Sequence, residues 1–152
     1  MKRLAIVFLF LFLLSGCVQE SSDVVTPDQL IGKTISQAGK ILDLDENLVI
    51  NGYAFATDDS GNPVVLEWET KNNKKIITNS TIYEISKVDN SPESFDSLEY
   101  GMNIYQVVEK VGIPTGIPAL GILYLEFTDS EGNSLWLPWS ADLIYLKGTL
   151  LR

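Results

Sequence analysis

Hydrophobic and polar positions along this chain switch between two periods, and the switch occurs twice in the same order. Ile104, Val107, Val108 and Val111 fall at i, i+3, i+4 and i+7, which puts one apolar stripe on about two helical turns. Asn103 stands at the N-cap position, and Gly112 with Pro114 supplies the stop. Some seventy residues earlier, Thr34 caps a fainter version whose stripe is Ile35, Ala38, Gly39 and Leu42. Its smaller side chains imply closer packing or a weaker helix. Ahead of it, Thr26-Pro27-Asp28-Gln29 has the spacing of a capping box with proline at the first helical position, so a short lead-in turn is expected.

After each helical stretch the period drops to two. Tyr53 to Thr57 and Val64 to Glu69 flank the turn Asp58-Asp59-Ser60-Gly61-Asn62, and Ile122 to Thr128 and Leu135 to Trp139 flank Asp129-Ser130-Glu131-Gly132-Asn133. Both read as hairpins. A further strand is expected in each half, Ile76 to Ile85 after the polar Lys71 to Lys75 turn and Leu143 to Leu151 at the end, with a short one near Leu48 to Ile50.

The two halves also align residue by residue. Asp59 to Trp68 matches Ser130 to Trp139 without a gap at an offset of 71, and Ile31 to Ala38 matches Tyr100 to Val107 at an offset of 69. Two ordered blocks at nearly constant offset point to duplication and not to chance convergence on one turn. A single repeat of roughly 65 residues buries little surface alone. The expected fold is therefore α+β: two tandem repeats of a short helix plus a three- to four-stranded antiparallel sheet, with the helices on one face of a shared sheet. The implied boundaries are 26–85 for the first repeat, 86–97 for a polar connector and 98–152 for the second.

Leu4 to Leu14 is an unbroken apolar run behind Met1-Lys2-Arg3, and it ends in Leu14-Ser15-Gly16-Cys17. Spanning a bilayer takes about 20 apolar residues, so eleven fit the centre of a signal peptide better than a permanent anchor. Residues 1–17 resemble a bacterial lipoprotein signal. That resemblance implies cleavage after residue 16, a lipid on Cys17, a tether over 17–25, and an extracytoplasmic protein held at the cell membrane, or at the outer membrane of a diderm host. Cys17 is the only cysteine, so no disulfide forms within the monomer. Without residues 1–16, nine basic residues face twenty acidic ones. Nucleic acid is accordingly not expected as a partner.

The stretch Leu98 to Pro114 is similar to the opening of the SmpA/OmlA outer-membrane assembly lipoproteins: Gly101-Met102, a polar cap, a short helix carrying valines, and a closing Gly112-Ile113-Pro114. That family shares a helix-plus-antiparallel-sheet plan with the β-lactamase inhibitor proteins, which are built from two such units in tandem. Over residues 30–68 the likeness is fainter, keeping Gly32 without the methionine or the closing Gly-x-Pro. The resemblance implies a non-catalytic protein-binding module of the cell envelope.

Chemistry narrows the choice in the same direction. With no histidine and one cysteine committed to lipid, His-based triads, Cys–His pairs and zinc sites of these ligands are excluded, and no cofactor is expected. Asp43, Asp45 and Glu46 lie together in an expected loop and keep a carboxylate-dependent hydrolase or a carbohydrate-binding protein as one alternative. Asp58, Ser60 and Asn62 alternate like calcium ligands, but Pro63 stands where that loop needs glycine. By the resemblance to the inhibitor proteins, Asp58 and Asp59 form an acidic turn able to enter an enzyme's active site; read on their own they form an ordinary polar turn.

Strand alternation puts Val64, Leu66 and Trp68 on one face and Leu135, Leu137 and Trp139 on its counterpart, so both aligned tryptophans are expected in the core. Trp136 points the other way, beside Tyr124 and Glu126, and its counterpart is Val65. That face is either a binding platform or is buried by the first repeat. The leading expectation is a lipid-anchored envelope protein that binds another protein through Trp136 and Tyr124; the runner-up is an inhibitor-like module using Asp58 and Asp59. Replacing Cys17→Ser is expected to abolish incorporation of a fatty-acid analogue and release the protein, with the folded domain intact. Labelling that persists in the variant would remove the anchor.

Overall fold

The computed structural model describes residues 24–99, 101–118, 124–138 and 149–151. The chain has a mixed α+β fold with the order α1 (Pro27–Leu30), α2 (Ile35–Ala38), β1 (Asp43–Ile50), β2 (Tyr53–Thr57), β3 (Pro63–Lys71), β4 (Lys74–Ile82), α3 (Pro92–Asp96), α4 (Ile104–Val111), β5 (Tyr124–Thr128), β6 (Ser134–Pro138) and β7 (Thr149–Leu151). Among the described residues no helix is long and apolar enough to cross a membrane.

Local chemistry explains most of these boundaries. Asn103 caps α4 by accepting the Gln106 N–H on its side chain while Gln106 returns a side-chain oxygen to the Asn103 N–H, and Thr34 with Gln37 closes the same box on α2. Ile104, Val107, Val108 and Val111 are all buried, as their spacing requires. In the first half the helix is only one turn long, because Gly39 ends it and Leu42 reaches the core from the turn that follows. The Lys71 to Lys75 segment closes on Asn72 and Asn73 with φ of 51° and 59°, a two-residue hairpin turn that asparagine tolerates well.

Among the described residues the strands do not join one shared sheet. They form a four-stranded antiparallel sheet in the order β1-β2-β3-β4 and a three-stranded sheet β5-β6-β7. The reason lies at the edges of the first sheet. The chain just before α2 occupies the open side of β4, with Gly32 N–H donating to the Ile77 carbonyl at 2.9 Å and Ile77 N–H to the Lys33 carbonyl at 2.8 Å. On the other side β1 carries Asp43, Asp45 and Glu46 and slips register between Leu44 and Val49. Charge and a bulge are what keep an edge strand from recruiting another. The acidic stretch expected to be a loop is therefore part of β1, and the stretch expected to be a bare connector carries α3.

Two apolar clusters organise the packing, and they lie on opposite faces of the first sheet. Leu30, Ile35, Ala38 and Leu42 pack with Ala54, Ala56, Val64, Leu66 and Ile77. Phe55 and Val65, the alternate positions on β2 and β3, share the other cluster with Phe95, α4, and the inner residues Leu125, Phe127, Leu135 and Leu137 of the second sheet. Helices thus meet both faces of the first sheet and not one. Trp68 sits at the margin of its cluster and is only partly buried; its indole N–H donates to the Tyr53 carbonyl at 2.9 Å, and the Lys75 ammonium lies 4.6 Å from the ring centroid. Trp139 and Tyr100 are outside the described residues.

Because one cluster draws on both halves, the chain should unfold as a unit. Phe55→Ala and Phe127→Ala, one in each sheet and both fully buried, are each expected to cost about 3–5 kcal/mol. Each should move a single calorimetric transition as a whole. Two transitions, with each substitution shifting only one, would show two independent domains.

Candidate partner-binding face

The two central hairpins share a register. Tyr53, Ala54, Phe55, Ala56 and Thr57 pair with Glu67, Leu66, Val65, Val64 and Pro63; Tyr124, Leu125, Glu126, Phe127 and Thr128 pair with Pro138, Leu137, Trp136, Leu135 and Ser134. Every pair in the second set lies 71 residues beyond its counterpart in the first. Their burial differs. Ala54, Phe55 and Ala56 are all buried, as are Pro63 to Leu66, whereas β5 and β6 alternate strictly between buried and partly exposed residues. The first hairpin is covered on both faces. The second presents Tyr124, Glu126, Thr128, Ser134, Trp136 and Pro138 on a face that is only partly covered.

Trp136 and Glu126 stand opposite each other on this face, and the indole N–H donates to Glu126 Oε1 at 3.3 Å. The segment Thr115-Gly116 runs along β5 as a partial edge strand: Glu126 N–H donates to the Gly116 carbonyl at 2.9 Å and Thr115 N–H to the Glu126 carbonyl at 2.7 Å. A side chain at Gly116 would put its Cβ 3.0 Å from Glu126 Oε2, so glycine here leaves room for the carboxylate. The result is a flat indole beside a fixed acceptor, with Tyr124 on the same strand face. It has no nucleophile paired to a base. It is suited to apolar contact with one anionic hydrogen-bond acceptor.

The acidic turns have a different arrangement from an outward-pointing finger. Asp58 is buried; its Oδ1 accepts N–H groups of Ser60 and Asn62, both at 2.9 Å, and its Oδ2 accepts the Asn62 side-chain amide at 2.9 Å. Asp129 repeats this with Glu131 and Asn133, at 2.9, 2.8 and 2.8 Å. Gly61 and Gly132 hold φ of 80° and 86°, which the turn demands of a residue without Cβ. Desolvation pushes each carboxyl upward, but the amide and backbone donors outweigh it, so both Asp58 and Asp129 lie below the usual carboxylate range. Of the two expected contact residues in the first turn, Asp59 alone is exposed. The oxygens of Asp58 are directed at N–H donors of their own loop.

A second polar feature, which sequence patterning did not reveal, joins the halves. Tyr105, off the apolar stripe of α4, donates its hydroxyl to Glu67 Oε1, which also accepts from Asn79 Nδ2 at 3.0 Å. Tyr53 meets Tyr105 edge to face at a centroid distance of 6.5 Å. Burial, and then the hydrogen bond and charge of Glu67, raise the Tyr105 phenol well above its ordinary value. Tyr83 is pushed up to about 12 by burial and the charge of Glu109. Both phenols stay neutral across the physiological range, and Tyr105 acts as the donor that joins α4 to β3.

Elsewhere, Asp45 accepts the Asn47 N–H and side-chain amide, both at 2.8 Å, which ties off the bulge of β1. An open cleft of about 770 Å³ lies between α2, β1 and the β3–β4 turn, lined by Ile35, Leu44, Val49, Glu46, Lys74 and Lys75 among others. No three His, Cys, Asp or Glu side chains converge on a common point among the described residues. Cys17 lies outside the described residues.

Comparison with protein-family models, curated proteins and solved structures gives no match. The face itself therefore carries the functional argument.

The two turn carboxylates make acid stability testable. A carboxyl whose folded pKa is depressed stabilises fully above its unfolded value, near 4, and that contribution is lost as pH falls through the folded value. Asp58→Asn and Asp129→Asn are expected to lower the melting temperature at pH 7 and to flatten its fall between about pH 5 and pH 2. An unchanged acid profile in both variants would show that the turns do not depend on these charges.

Proposed function

We propose that this chain is a non-catalytic, lipid-anchored module of the cell envelope that binds another protein through the outer face of its second sheet. The observation that carries this reading is the contrast between matched positions: Val65, fully buried, corresponds to Trp136, which is partly exposed beside Glu126 and Tyr124. Packing within the chain accounts for the valine. It does not by itself call for the largest aromatic side chain on the partly covered face.

The reading includes a tandem duplication of one helix-and-hairpin unit. Support comes from the shared pairing register, from the capping boxes on Thr34 and Asn103, and from the identical carboxylate turns on Asp58 and Asp129. A further correspondence lies in the lead-in turns: Thr26-Pro27 opens α1 and places Leu30 in one cluster, while Ser91-Pro92 opens α3 and places Phe95 in the other. On this view the second unit begins near Ser91. The resemblance of residues 98–114 to the SmpA/OmlA lipoproteins supports an envelope role, and the signal-like segment ending at Cys17 supports the anchor. The inhibitor-like alternative is left with Asp59 as its outward acid.

A tryptophan at the centre of an interface commonly carries about 2 kcal/mol or more, which is roughly a thirtyfold change in affinity. Trp136→Ala, alone or with Tyr124→Ala, is expected to reduce capture of the partner from a crosslinked envelope by about that factor. Its melting temperature should drop far less than that of Phe127→Ala. Undiminished capture by a folded variant would move the binding surface off this face, and Asp59→Asn then tests the turn.

A further inference from the structure

Resting on the reading that the outer face of the second sheet is the partner surface, the geometry points to the kind of partner it takes: an amphipathic helix carrying a basic residue on its apolar face. The chain contains its own precedent. The face formed by Tyr53, Phe55, Val65 and Glu67 on the first sheet is covered by a helix, α4, which lies against β3. That helix places Tyr105 edge-on to Tyr53 and gives its hydroxyl hydrogen to Glu67, with Ile104, Val107, Val108 and Val111 in the same cluster as Phe55 and Val65. At the corresponding positions of the second sheet stand Tyr124, Glu126, Trp136 and Pro138, in the same antiparallel register and at a constant offset of 71.

Two of these exchanges define the occupant. Tyr124 retains the ring that Tyr53 offers to α4, so the aromatic seat for a helix is kept. The acid, however, has moved. Glu67 pairs with Tyr53 toward the end of the β2–β3 ladder, whereas Glu126 replaces Phe55 at its middle, directly across from Trp136. A helix laid on this face brings a central side chain against a carboxylate that already holds one indole N–H. An apolar residue there would desolvate the charge without compensation, and an acidic one would repel it. Lysine or arginine satisfies it, and the aliphatic stem of either packs along the indole. The chain's net charge of −9 favours approach of such a basic helix at long range.

The closest cover that the described residues supply is the Thr115-Gly116 segment, which lies beside β5 and forms one wall of the seat. Thr115 Oγ1 and Thr128 Oγ1 are 2.8 Å apart along that wall.

The probe is an 18-residue peptide of leucine and lysine with leucines at i, i+3, i+4 and i+7 and one lysine within the apolar stripe. Controls are the same peptide with two central residues changed to proline, which cannot form the helix, and a version with glutamate for every lysine. The intact chain should bind the first at least tenfold more tightly than either control. Trp136→Ala should weaken it at least tenfold, and Glu126→Gln by roughly two- to fivefold at low salt and less at 0.5 M. Glu99→Gln, an exposed acid outside this face, should bind as the parent does. Equal binding of the proline peptide, or insensitivity to Trp136→Ala, overturns the helix assignment. Envelope capture measured on the same Trp136→Ala variant separates the two levels. Capture lost with no preference for the helix leaves the face and removes the helix; capture and peptide binding both unchanged removes the face as well.

Discussion

Val108 has no exposed surface, and the reason is that α4 serves two sheets at once. The inner residues of the second sheet, Leu125, Phe127, Leu135 and Leu137, need a helix to cover them. The rear face of the first sheet, with Phe55 and Val65, needs one too. Neither half has enough apolar surface to supply separate layers, since a unit of this size buries too little to offset its conformational entropy. Sharing a two-turn helix resolves both demands. It also explains why α4 is longer and richer in valine than α2, which covers one face only and is content with Ile35 and Ala38.

Polar groups then fix how the shared helix sits. Tyr105 lies off the apolar stripe, and its hydroxyl reaches Glu67 on β3, so rotation of α4 about its axis would leave a desolvated phenol without its acceptor. The turns perform a similar task for the hairpins. Asp58 and Asp129 each collect two backbone N–H groups and one side-chain amide, which sets the loop length and hence the register of the strands that follow. Register in turn decides which residues face the helix and which face outward.

What the amino-acid sequence disclosed follows from this division. Short-range devices were legible: the Asn103 cap with its valine stripe, the Thr26 and Thr34 starts, and the four strands of the two hairpins all stand where pattern and turn chemistry place them. Long-range pairing was not. Nothing in a linear pattern says that the backbone before α2 takes the open edge of β4, and without that fact one shared sheet is the simpler arrangement. The length of β1 was hidden by its charges, which read as a loop because edge strands and loops favour the same residues. For Trp136 alternation gave the face but not its cover, since cover depends on which sheet has a second helix. For Asp58 the pattern gave the turn but not its interior: its oxygens close the turn from within.

The same division shows where a function can be written without disturbing the fold. At inner positions both hairpins carry only aliphatic or aromatic residues, because each must fill a closed cluster. At outer positions the first hairpin is equally constrained by α4, so Phe55 and Val65 are packing residues and little else. The second hairpin has the same backbone and the same pairs, but among the described residues no helix lies over its outer side chains. There Phe55 corresponds to Glu126 and Val65 to Trp136, a large ring and a charge that neither the core nor the turn requires. A carboxylate in mid-sheet would be costly under a covering helix of this chain, and it is tolerable only where water or a complementary group can reach it. Among the described residues the pair thus marks the second sheet as the end of the stack, and any further layer on it has to meet the Glu126 carboxylate.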